Sequence, residues 1–119
     1  MMAPQRNEHQ YDVFQPLCPS RRAFDRIFNR WGILTLARLS PKPVRFGVLC
    51  RKVGGISEKM LTQTLKVLEE EGLVSRQEWK EKPPRVEYSL TEGGARISRS
   101  MTKCIMELYA ELDTRPGRS

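Results

Sequence analysis

The sequence predicts a mainly α-helical domain with one small β-hairpin. Three observations predict it. A Gly54-Gly55 pair leads into an amphipathic stretch at residues 57–71, two alternating stretches flank a proline-containing break at 80–84, and positive charge is concentrated on residues 18–68. Helix, short glycine turn, helix, then hairpin is the order of a winged helix-turn-helix. The glycines permit positive φ and hence a sharp turn before the second helix. At 119 residues the chain has material for one domain with a real core.

The elements follow in order. Residues 1–17 are polar, contain Pro4 and Pro16 and lack periodicity, which predicts a flexible arm. The folded domain is expected over 18–112, with 113–119 as a disordered tail. Ser20 is the expected cap of a helix reaching about Asn29, with Phe24, Ile27 and Phe28 on one side and Arg22, Arg26 and Arg30 on another. Residues 31–39 are apolar nearly all round, the pattern of a buried central helix, and Pro41 and Pro43 end it. Val44-Arg45-Phe46 reads as a very short strand, and a helix over 47–53 turns Val48 and Leu49 inward.

Ser57 is the expected N-cap of the next helix, Leu61, Leu65 and Leu68 recur at i, i+4 and i+7, and Gly72 suits the position just past its end. Residues 73–79 and 85–90 alternate as the two hairpin strands. Thr91 is the expected cap of a last helix, on which Ile97, Met101, Cys104, Ile105, Leu108 and Leu112 keep helical spacing. That stripe extends past what so small a core needs. Phe24, Ile97, Met101, Ile105, Leu108 and Leu112 are therefore the candidate homodimer interface, the alternative being packing against the domain itself.

Net charge is +7, and its placement says more than its total. Residues 18–68 hold 11 Lys/Arg against two acids, Asp25 and Glu58, whereas 69–119 hold nine basic and ten acidic residues. The positive field sits on the segment with the glycine-led helix, as a polyanionic partner requires. No apolar run reaches the length of a membrane span, and the first residues lack the apolar centre of a secretory signal, so a cytoplasmic location is expected. Cys18, Cys50 and Cys104 form no CxxC pair and the single His9 lies in the arm, so neither a metal site nor a disulfide framework is expected. With no Gly-rich phosphate loop, no HExxH and no nucleophile beside a base, the chain reads as no enzyme, and no cofactor is expected.

Several blocks in one order also resemble a known family. Cys18-Pro19, Arg30-Trp31, Arg45-Phe46-Gly47-Val48-Leu49, Gly55-Ile56-Ser57-Glu58-Lys59-Met60-Leu61-Thr62-Gln63 and Pro83-Pro84-Arg85-Val86-Glu87-Tyr88-Ser89-Leu90-Thr91 are similar to the HxlR-type bacterial transcriptional regulators, winged-helix relatives of the MarR group. The resemblance covers about residues 18–112. It implies a homodimeric DNA-binding regulator with the 57–71 helix as reader and the 79–86 hairpin as wing. Three departures stand out: Thr64 where a basic residue is common, Phe28-Asn29-Arg30 before the tryptophan, and Glu92-Gly93-Gly94 where Pro-Leu-Gly is usual. The first bears on which sequence is read, not on whether DNA is bound.

Lys59, Gln63 and Lys66 fall opposite the leucines, flanked by Met60 and Val67, and no acid interrupts that face before Glu70. Such long donors suit a major groove: lysine donates to guanine O6 and N7, and glutamine pairs with adenine. Ser57 and the free amides of the helix start are expected at phosphate, Met60 at a thymine methyl or against the preceding helix, and Lys66 at phosphate. Thr64 completes this set. Lys80, Lys82 and Arg85 of the wing are expected at the backbone or in a minor groove, and Arg45 beside the turn at phosphate.

Cys18, near Arg21 and Arg22 at a helix start, is a candidate thiol sensor of oxidants or small electrophiles, since cations and helix N-termini favour thiolate. Some members of the family use a cysteine at this position so. Cys50 and Cys104 are candidate resolving partners. The competing assignment is a winged-helix module binding RNA or a protein, for which Trp79 and Tyr88 are the only wing aromatics able to stack on bases.

Overall fold

The computed structural model describes residues 10–117. Among them five helices, α1 (Pro19–Ile27), α2 (Arg30–Arg38), α3 (Phe46–Val53), α4 (Glu58–Glu70) and α5 (Glu92–Asp113), surround a small antiparallel sheet. Its strands are β1 (Val44–Arg45), β2 (Val74–Trp79) and β3 (Arg85–Leu90), in the spatial order β1-β3-β2. The hairpin register runs from Val74 opposite Leu90 to Trp79 opposite Arg85, and β1 pairs Val44 with Tyr88 on the far edge of β3. This is the winged helix-turn-helix that the sequence predicts.

One core holds it together. Leu36 of α2, Leu49 of α3, and Leu61 and Leu68 of α4 are wholly buried, and Leu65 nearly so. Burying each such side chain contributes about 1.5–3 kcal/mol. Through its leucine stripe α4 packs on α2, α1 and β2.

Element boundaries shift where caps compete. Cys18, not Ser20, occupies the N-cap of α1, with Pro19 in the first turn, where its missing N–H costs nothing. The first helix stops at Ile27 because Asn29 starts the next one, accepting from the Gly32 N–H at 2.9 Å and donating to the Arg26 carbonyl at 3.0 Å. A Cβ on Gly32 would lie 2.0 Å from the Ile27 carbonyl oxygen, so the two helices meet backbone to backbone. In α2 only Gly32, Thr35 and Leu36 are fully buried, so the helix expected to be enclosed all round is enclosed on one face.

Residues 10–17, expected within a flexible arm, form consecutive turns against the start of α1. The Gln15 N–H donates to Asp12 O and the Cys18 N–H to Gln15 O, both at 3.0 Å. Residues 1–9, with His9, and 118–119 lie outside the described residues. Asp113 closes α5 rather than opening a tail, and Thr114 caps the helix through Glu111 O at 2.8 Å.

The start of α5 is tied down three ways. Thr91 Oγ1 accepts from the Gly94 N–H at 3.0 Å and donates to the Gly72 carbonyl at 2.7 Å. Gly94 touches the chain so closely that a Cβ there would lie 1.9 Å from Leu73 O. The buried Ser98 hydroxyl donates to Leu36 O at 2.6 Å. Beyond that point α5 leaves the core, and Met106, Leu108 and Tyr109 are half exposed.

Candidate nucleic-acid interface

Helix α4 is fixed at both ends by the residues around it. Gly54 and Gly55 take φ of 70° and 80°, turning the chain between α3 and α4, and buried Ile56 anchors the turn. Ser57 Oγ accepts from the Met60 N–H at 3.0 Å, as an N-cap does, and Glu58 in the first turn complements the helix dipole. At the other end Gly72 adopts φ 79°, Leu73 N–H donates to Leu68 O, and Gly72 N–H donates to Glu69 O. That pair of bonds is a Schellman closure.

With its leucines inside, α4 presents Lys59, Gln63 and Lys66 to solvent, and none of the three is in an ion pair among the described residues. At about 100° per residue, Lys59 and Lys66 lie on one flank of Gln63, and Met60 and Val67 lie on the other. Thr64 departs from the expectation. It is only 9% exposed, three residues from Leu61 and four from Leu68, and so sits at the edge of the core face rather than on the outward one. Met60 is 37% exposed and borders a hollow rather than packing flat on α3.

That hollow, of about 440 Å³, lies between α4 and the α1–α2 junction, with Arg26, Arg30, Trp31, Met60, Gln63 and Val67 in its lining. Its two arginines differ. Arg26 donates to Glu70 Oε1 at 2.5 Å and to Glu71 Oε2, clasping the end of α4. Arg30 has no carboxylate partner among the described residues and stands 5.2 Å from the Trp31 ring centroid. The sequence placed Arg22, Arg26 and Arg30 on one helical face. The cap at Asn29 separates them, and that Asn-x-x-Gly start is the signal that marks Arg30 as a different position.

In the wing, Lys80 and Lys82 are exposed at the tip. Arg85 is not free as expected. Its guanidinium lies over Trp79, 4.3 Å from the ring centroid, within 3.3 Å of Glu81 and 3.9 Å of Glu87. Arg45 keeps a 64% exposed side chain, with only a 4.0 Å approach to Glu87. Tyr88 packs near Phe46, their ring centroids 6.5 Å apart.

All three cysteines are free thiols. Cys18 Sγ accepts from the Asp12 N–H at 3.3 Å and lies 3.1 Å from Ser20 Oγ. Donation from Asp12 N–H, then from Ser20, holds the thiol below its ordinary value, partly offset by desolvation and the Asp12 charge. The arginines expected to do this are occupied elsewhere or exposed: Arg21 donates to Val13 O at 3.3 Å and approaches Asp25 at 3.7 Å. Cys50 is half-buried, 3.7 Å from Ile56 O, and Cys104 is exposed on α5. On the candidate dimer stripe, Ile97 packs against the core, Met101, Ile105 and Leu112 are half-buried, and Phe24 and Leu108 are 43% and 50% exposed. Among the described residues, no helix is long and apolar enough to cross a membrane and no His/Cys/Asp/Glu cluster suits a metal ion.

Comparison with known proteins agrees with this geometry. The family model for HxlR-like helix-turn-helix proteins matches residues 26–113. The HTH-type transcriptional regulator YtfH of Escherichia coli K12 is 43% identical over 90 residues, covering 76% of this chain and 71% of its own. Among solved structures, the transcriptional regulator YtfH from Salmonella typhimurium superposes with a TM-score of 0.79 at 38% identity, over 87% of this chain and 93% of that one. The redox regulator HypR in its oxidized form gives 0.66 at 32% identity, over 82% and 98%. With its fold, its capped helix α4 and the family model in agreement, the chain belongs to the HxlR-like helix-turn-helix family of transcriptional regulators.

Proposed function

We propose that this regulator binds duplex DNA as a homodimer in the cytoplasm, reading an inverted-repeat operator. The observation that carries the proposal is α4 itself: a helix locked by three buried leucines on one side, offering unpaired Lys59, Gln63 and Lys66 on the other. Gln63 and Lys59 read base edges, Ser57, Lys66 and Arg45 meet phosphate, and Lys80 and Lys82 bring the wing to the adjacent backbone. Two such helices related by a two-fold axis are spaced about 34–36 Å apart, one duplex turn. The apolar half of α5 is the surface that pairs the protomers, and it needs a cover that the single chain lacks. RNA is the weaker ligand, because Arg85 covers Trp79 and Phe46 neighbours Tyr88, leaving the wing short of stacking faces.

A thiol switch at Cys18 is the second part of the proposal. Cys18 caps α1 while α1 clasps α4 through Arg26, so modification at the thiol acts on a helix joined to the reader. The structural likeness to a redox regulator supports it. Selection of the reduced protein on a random duplex library tests the reading: an inverted repeat is expected, lost or weakened after oxidation in wild type and retained in Cys18→Ser. Salt-sensitive binding without any recovered motif refutes sequence reading, and an oxidant response unchanged in Cys18→Ser refutes the switch.

A further inference from the structure

The major groove into which α4 is proposed to enter has two phosphate walls, about 12 Å apart. The helix supplies cations for only one. Lys59 and Lys66 share a flank of Gln63, whereas the opposite flank carries Met60 and Val67 and faces the hollow at the α1–α2 junction. Of the two arginines there, Arg26 is already clasped by Glu70 and Glu71 and adds no net charge to an incoming strand. Arg30 is exposed, without a carboxylate partner among the described residues, and held by the face of Trp31.

We infer that Arg30 is a DNA-backbone contact outside both the helix-turn-helix and the wing, binding a phosphate of the strand opposite the one met by Lys66. The inference rests on the proposed binding of duplex DNA by α4. It extends the footprint to the α1–α2 junction and makes the rigid Asn29-Arg30-Trp31 corner a second clamp on the groove. The Trp31 face restrains the guanidinium, so less side-chain freedom is lost on docking. A planar guanidinium can also meet phosphate with two parallel N–H bonds, a geometry that lysine lacks.

The test is titration of the full chain on its selected duplex by fluorescence anisotropy across a range of salt concentrations, for wild type, Arg30→Gln and Arg30→Lys. Each lost phosphate contact reduces the slope of log K against log salt by about 0.9, so Arg30→Gln is expected to flatten it by that amount per protomer. Arg30→Lys keeps the slope near wild type, and discrimination between operator and random duplex is unchanged in both. Phosphate ethylation interference on the wild-type complex is expected to show one position per half-site that disappears in Arg30→Gln. A wild-type slope and an identical interference pattern in Arg30→Gln overturn the inference, while Gln63→Ala still losing sequence preference leaves duplex reading intact. If the wild-type chain binds no duplex, both fall together.

Discussion

Helices α4 and α5 carry the same kind of pattern and meet different fates. Each is amphipathic, each is capped by a hydroxyl side chain, and each has leucines at helical spacing. On α4 the apolar stripe is completely covered by the chain's own core. The first two turns of α5 are covered as well, with Gly94 against Leu73 and Ser98 bonded to Leu36, but Met106, Leu108 and Tyr109 remain half exposed. Periodicity reports which side of a helix is apolar. It does not report whether the cover comes from the same chain or from another.

The sharpest way to break the comparison is to truncate a leucine on each helix. Leu65→Ala is expected to lower unfolding free energy by about 2–5 kcal/mol, because it leaves a cavity in a closed core. Leu108→Ala should change single-chain stability by only about 0.5 kcal/mol, while shifting sedimentation toward monomer and weakening the dependence of the melting temperature on protein concentration. Similar losses in chemical denaturation, with no change in sedimentation, would show that α5 is covered from within.

A second prediction contrasts neighbouring residues on α5. Gly94→Ala sets a Cβ against the Leu73 carbonyl and is expected to cost about 1–3 kcal/mol in thermal or urea unfolding. At Gly93 the nearest atom would lie 3.7 Å away, so Gly93→Ala is expected to stabilise by about 0.5–1 kcal/mol. Equal effects would mean that the helix start is looser than its contacts indicate.

On α4 the corresponding pair is Gln63 and Thr64. Gln63→Ala is expected to relax discrimination by about 1–3 kcal/mol at one operator position, measured by competition among single-base variants. Thr64→Ala should leave that discrimination alone, because its side chain sits at the edge of the core face. A matching loss of sequence preference in both would overturn the division of the helix into reading and packing faces.

The smallest effect concerns Cys18. Its thiol lies below the ordinary value of 9.0 in the fold, so folding favours the thiolate relative to the unfolded chain. The contribution to stability is therefore present above 9.0 and lost as pH falls through the lowered value. The rate of iodoacetamide alkylation against pH should show a midpoint below 9.0 for Cys18, and Ser20→Ala should move it back upward. A midpoint unmoved by Ser20→Ala would leave the backbone N–H groups of Asp12 and residue 20 as the donors that matter.

Most of the fold was legible in the sequence because its signals are local. The glycine pair, the Ser57 and Thr91 caps, Gly72 and the interrupted alternation around 80–84 each act within a few residues, and the observed elements keep those boundaries closely. The site was legible only in outline. Lys59, Gln63 and Lys66 face outward as their spacing requires, but Thr64 turned inward because a stripe of leucines reaches as far as its edge position. Arg85 looked free in the sequence and is held by Trp79, which the hairpin register sets opposite it, and by Glu81 and Glu87, its near neighbours along the chain.

By itself, then, the sequence determined the order and type of the elements and the side of each helix that is apolar. These depend on dihedral preferences, caps and periodicity, which a short stretch of chain carries within itself. Only the tertiary structure decided which charges are free. Arg26 meets Glu70 and Glu71 across more than 40 positions of chain, whereas Arg30, four residues on, meets no carboxylate among the described residues. Coulomb attraction depends on distance in space, and spacing along the chain does not encode it.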